Sequence, residues 1–155
     1  MSGARRNLCR MTSEPRLIDP FLKGFVQRYS YRKQGPARAR IRYLDRLLRW
    51  FLEETSAKVD CPHCQSLLET ERVLEPTGAF ARVMHVDDLV FRLIDFVHAP
   101  WLQTDGEMEL AQWKFVEALL IAADDHRICR CDDCEERVAA LWRHINTVLR
   151  PRRRR

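Results

Sequence analysis

Cys129-Arg-Cys131-Asp-Asp-Cys134-Glu-Glu-Arg-Val138-Ala-Ala-Leu141-Trp142-Arg-His-Ile145-Asn-Thr-Val148-Leu149 sets a cysteine cluster at the head of an amphipathic helix. A second cluster, Cys61-Pro-His-Cys64, lies upstream, with 66 residues between Cys64 and Cys131. Paired thiolates two residues apart are the usual zinc ligands of small proteins, and a tetrahedral site takes four. Cys61, Cys64, Cys131 and Cys134 fit that pattern as ligands of one Zn2+. A loop this long is not a self-contained finger. It predicts a tertiary staple that ties the start of an acidic segment to the last helix. A site closed by four cysteines has no open position for chemistry.

The remaining candidates are Cys129, which could replace Cys131 or join His126, and His63, which the knuckle points outward. His144 lies ten residues past Cys134, a separation of about 15 Å on one helix. Cys9 has no structural role in this reading. The rival chemistry is redox, since Cys-Pro-His-Cys resembles the motif of thioredoxin-fold disulfide oxidases. That chemistry needs a buried strand before the motif and a βαβ alternation. Glu53–Asp60 is no buried strand, and the alternation is missing.

Outward from the cysteines, the chain reads as mainly α, with about five helices and little or no strand. Asp19-Pro20 predicts an N-cap and first turn for a helix over 19–33, with Leu17, Phe21, Phe25 and Tyr29 at four-residue spacing. Gln34-Gly35-Pro36 breaks it. The clearest helix spans 37–57. Ile41, Leu44, Leu48, Phe51 and Leu52 share one face, and Arg38, Arg42, Arg46 and Arg49 step along the other. Asp45 and Glu53 each stand one turn from Arg49. Residues 58–83 have poor periodicity and read as loop, with room for a short hairpin. Asp87-Asp88 opens a helix to about 98, ended by Pro100. Asp105-Gly106-Glu107 opens another to 123, with Leu110, Trp113, Val116 and Leu120 inward. The last, 134–149, buries Val138, Leu141, Trp142, Ile145 and Val148. The domain plan is a disordered basic arm over 1–15, one helical zinc-binding domain over 16–150, and an Arg-rich tail over 151–155.

Of the 155 residues, 46% are hydrophobic and 32% charged, enough for one modest core. No apolar run reaches membrane-spanning length, and the Arg-rich start is no secretory signal. A reducing compartment is therefore expected, where clustered cysteines bind metal more often than they pair. Net charge is +5, but it is unevenly spread. Residues 1–50 carry 13 Lys and Arg against 3 acids, 51–126 carry 5 against 15, and 127–155 carry 9 against 4. Basic ends flank an acidic middle. They either meet an anionic partner or fold back to neutralise the middle. Arginine outnumbers lysine 23 to 4. Its planar fork of donors suits phosphate, though a GC-rich genome yields the same bias.

No phosphate loop, nucleophile elbow or metalloprotease motif is present, so no enzyme is expected. The acidic pairs Glu53-Glu54, Asp87-Asp88, Asp124-Asp125 and Asp132-Asp133 read as helix caps or solvated surface. The candidate nucleic-acid contacts are Arg38, Arg42, Arg46 and Arg49, with Tyr29, Tyr31 and Tyr43 near for base stacking. The tail Arg152, Arg153, Arg154 and Arg155 adds a phosphate clamp or an import signal. A solvated helix face would look the same.

Trp101, the knuckle Cys131-Asp-Asp-Cys134, and Arg143-His144-Ile145 with Val148 resemble the small non-structural nuclear protein of bocaparvoviruses over the last third of the chain. The long Ser/Arg-rich tract of that family has no counterpart here. The resemblance implies a nuclear protein that aids viral DNA replication and processing of viral pre-mRNA without enzyme activity; the cytoplasm is kept as a second location. The Cys-x-Cys-x-x-Cys run is also similar to the zinc motifs of polyomavirus small tumour antigens, which are adaptors. The expectation is a non-enzymatic, zinc-binding nuclear regulatory protein that binds DNA or RNA and touches no membrane. The alternatives are a zinc-stapled adaptor for host or viral proteins and a thiol-disulfide oxidoreductase.

Overall fold

The computed structural model describes residues 16–56 and 59–151. The expected arm over 1–15, with Cys9, and the tail Arg152–Arg155 lie outside the described residues. Among the described residues seven helices follow in order: α1 Ile18–Ser30, α2 Gly35–Glu54, α3 Pro62–Leu74, α4 Ala79–Val83, α5 Val86–Phe96, α6 Gly106–Asp124 and α7 Asp132–Leu149. Among the described residues there is no strand, only an isolated antiparallel bridge between Leu17 and His85. Two backbone bonds flank it, Ile18 N–H to Met84 O at 3.0 Å and Val86 N–H to Arg16 O at 2.9 Å. They tie the start of α1 to the turn before α5.

The core forms where α1, α2, α5 and α6 meet. Phe51, Phe96, Phe115, Leu22, Leu48 and Leu93 are all within 1% of full burial, each contributing about 1.5–3 kcal/mol of apolar transfer. Phe51 tilts onto Phe96 at 5.3 Å, and Phe25 meets Phe115 edge to face at 5.4 Å. α7 closes the bundle against α5 and α6. Gln112 is one of the buried polar residues. Its amide donates to Phe96 O at 3.0 Å and to Trp101 O at 3.3 Å, and its Oε1 accepts from Gln103 N–H at 2.9 Å. One side chain thereby pairs three backbone groups between Phe96 and Gln103, which would otherwise be costly to bury.

α2 follows its expected face: Ile41, Leu44, Leu48, Phe51 and Leu52 are buried, joined by Leu47. Gly35 opens it at φ 54, a left-handed conformation suited to glycine, with Pro36 in the first turn. Several expectations need correction. Residues 58–83 are not loop but hold α3 and α4. α3 starts because Cys61 caps it and Pro62 sits in its first turn. Its period is weak because only Cys64 and Leu68 face inward, while Leu67, Val73 and Leu74 are exposed. The N-cap position of α1 is Leu17, without a side-chain cap, and Asp19 lies in the first turn instead. His85, not Asp87, is the N-cap of α5, in a capping box with Asp88. Leu110 and Val148, at the edges of their stripes, are exposed.

Candidate nucleic-acid interface and the cysteine turns

Most of the described arginines beyond α2 are bonded to other groups of the molecule. Arg72 binds Glu53, and Arg82 binds Glu71 at 2.6 Å, which together hold α3 and α4 on α2. Glu53 also caps the Phe80 N–H. On α7, Arg137 binds Asp95 at 2.6 Å and donates to Phe91 O at 2.7 Å. Arg150 pairs with Glu117, Arg130 with Asp124 at 3.0 Å, and Arg127 with Glu135 at 2.7 Å. The described part of the C-terminal basic segment thus folds onto the acidic middle, as the neutralisation reading expects.

The α2 stripe divides. Arg49 is drawn inward: it pairs with Asp19 at 2.6 Å and Asp45 at 3.1 Å and fixes α1 to α2. Burial alone would raise the Asp19 carboxyl, but Lys23 and Arg49 overcome it and hold the group below its ordinary 3.8. Arg49 is therefore a structural ion pair rather than a surface contact. Arg38, Arg42 and Arg46 are exposed, and none makes an ion pair with a described residue. They recur every four residues, about 6 Å along the helix. Tyr43 lies beside them, its hydroxyl donating to Gln103 at 3.0 Å. Trp50, one turn past Arg46, is 58% exposed and rests edge to face on Trp101 at 5.2 Å. The sequence reading missed Trp50, although its i+4 spacing from Arg46 was the available signal. Of the other aromatics, Tyr31 is 79% exposed. Tyr29 is stacked on Phe25 and packed on Phe115, so it belongs to the core edge.

Both Cys-x-x-Cys pairs occupy the first turn of a helix. Cys61 is the N-cap of α3, and its sulfur accepts from Cys64 N–H at 3.4 Å. Cys131 is the N-cap of α7. Cys64 and Cys134 are the buried members, and no disulfide joins the five described cysteines. Burial raises the Cys131 thiol, with the Cys134 backbone opposing and Cys129 adding to the rise. Burial pushes Cys134 up to about 11, against the pull of Arg127. Arg127 has a side chain only 2% exposed and donates to Cys134 Sγ at 3.4 Å. Its Nε has no partner among the described residues.

Asp87 orders the approach to α7. Its two oxygens accept from Ile128 N–H and Cys129 N–H, both at 3.2 Å. Burial raises its carboxyl, and these two backbone donors pull the other way. The expected four-cysteine staple is not shown: among the described residues no group of three or more His, Cys, Asp or Glu is placed to hold a metal ion. α3 packs on α4, and no Cα of α3 lies within 8 Å of a Cα of α7. Of the histidines, His63 is exposed, as expected. His126 packs on Phe21 at 5.3 Å, and His144 stands edge to face with His98 at 5.5 Å. Cys61 does open a helix, as an oxidase cysteine would, but no sheet stands behind it among the described residues. No described helix is long and apolar enough to cross a membrane. In comparisons with known proteins, no family model, curated protein or solved structure matches this chain.

Proposed function

We propose that this protein is a non-enzymatic regulatory protein that binds nucleic acid through the outer face of α2. The observation that carries this is the contrast among its arginines. Arg72, Arg82, Arg127, Arg137 and Arg150 are consumed by internal acids. Arg38, Arg42 and Arg46 stay exposed beside Tyr43 and Trp50. Unpaired guanidiniums bind phosphates, and neighbouring rings stack on splayed bases, so the ligand is a single strand or a strand end. Arg152–Arg155 would add phosphate contacts or nuclear import. Action in the nucleus on viral replication or RNA processing extends the bocaparvovirus resemblance and belongs to the same proposal. The test is a fluorescence-anisotropy titration of single-stranded DNA and RNA oligonucleotides at low salt. Saturable binding lost in Arg42→Glu/Arg46→Glu supports the reading; no binding at low salt ends it.

Zinc remains part of the proposal, on local geometry. Each Cys-x-x-Cys pair sits at a helix N-terminus, which keeps its two cysteines within one helical turn. Arg127 offers a further donor to the Cys134 sulfur. No metal-holding group forms among the described residues, so this part of the proposal couples metal capture to movement of the α3 start toward α7. Native mass spectrometry with metal analysis should find one zinc per chain, lost in Cys61→Ser or Cys134→Ser. A metal-free protein that ignores added zinc contradicts this part, and leaves the α2 reading standing.

A further inference from the structure

A cavity of about 270 Å3 opens between the C-terminal end of α1, the start of α2 and the start of α6. It lies on the flank of α2 that faces α6, apart from the Arg38–Arg42–Arg46 face. Two small side chains, Ala37 and Ala111, leave the space, and Ile41 and Leu44 form an apolar floor. Arg40 and Glu107 line one side as an ion pair and neutralise each other. Lys33 and Lys114 also line it, and neither is paired with a described carboxylate. Lys33 Nζ sits 3.9 Å above the Tyr29 ring centroid, which fixes its ammonium at the edge. The nearby Glu117 is already engaged by Arg150.

An apolar floor with two uncompensated ammonium groups fits a ligand of matching polarity. We propose that this cavity binds a small amphipathic anion, a flat apolar body carrying one anionic head group. The floor takes the body, and Lys33 and Lys114 take the head. The volume falls just below the roughly 300–1,000 Å3 of drug-sized sites, so the occupant is fragment-sized. The site is independent of strand binding by α2.

The experiment is a 15N-NMR titration of the full chain with 2-naphthoate, 2-naphthyl phosphate, neutral 2-naphthamide and acetate. The expected result is saturable shifts confined to residues 29–44 and 107–114 for both anionic naphthyl probes. The tighter of the two identifies the head group as carboxylate or phosphate. The neutral amide and acetate should each bind at least about tenfold more weakly. Lys33→Gln/Lys114→Gln should weaken 2-naphthoate about tenfold. Ala37→Phe, at an exposed first-turn position, fills the cavity without changing charge and should abolish binding while circular dichroism stays helical. Dispersed or unsaturable shifts, equal binding of the amide, or binding retained in Ala37→Phe would each overturn the proposal. The lysine pair tests it separately should Ala37→Phe not fold.

Discussion

Asp87 shows how much one side chain can be misjudged when read by position alone. In the sequence, Asp87-Asp88 is a helix-opening pair. In the structure only Asp88 caps, and Asp87 reaches across to the Ile128 and Cys129 N–H groups. Nothing local marks that partner, which lies about forty residues away and meets Asp87 only through the fold. Asp87→Ala leaves two backbone donors without an acceptor, at a cost of about 1–3 kcal/mol. Urea unfolding should show that loss, with Asp87→Asn intermediate because it keeps one acceptor; a change under about 0.5 kcal/mol would contradict the role. Asp19 carries a pH dependence. Its folded carboxyl lies below the ordinary 3.8, so its stabilisation is complete above that value and fades as pH falls through the lower folded one. Asp19→Asn should therefore lower stability at neutral pH by about 1–2 kcal/mol and flatten the acid limb of the stability curve. Parallel acid limbs in the two proteins would refute the pairing.

At the scale of elements, legibility follows the number of inward positions. α2 has six buried residues over five turns, and its period is plain. α3 has two, Cys64 and Leu68, while three of its apolar side chains face out. Its pattern therefore reads as loop, although Cys61-Pro62 is a legitimate helix start. α4, with five residues, is too short to carry a period at all. The two helices are held by charge as well as packing, through Glu53, Glu71, Arg72 and Arg82. Leu68 is the principal apolar anchor of α3, fully buried. Leu68→Ala should cost about 2–5 kcal/mol. Hydrogen exchange should show the loss concentrated in α3 and α4, with α2 and α6 still protected; uniform loss of protection would mean α3 is not a separable unit.

Across the whole molecule, the charge map of the sequence is redistributed by folding. The basic segment after residue 126 closes onto the acidic middle through Arg130, Arg137 and Arg150. Such pairing depends on which helices become neighbours, so the sequence could state the asymmetry and not its resolution. For the same reason the stripe of four arginines was legible while its division was not. Arg49 turns to Asp19 on α1, and Arg38, Arg42 and Arg46 keep the surface. The second cysteine pair was legible as the opening of a helix, whereas the first was read within a loop, and a tertiary link across 66 residues lies beyond local spacing. The nucleic-acid reading rests on those three arginines, and salt reports directly on phosphate contacts. The log–log dependence of oligonucleotide affinity on salt has a slope of about −0.7 per phosphate contact for a single strand. Arg38→Ala/Arg42→Ala/Arg46→Ala should retain the fold and make that slope shallower by about 2, with weaker binding at low salt. An unchanged slope in a folded triple variant would contradict the assignment of the α2 face as the nucleic-acid surface.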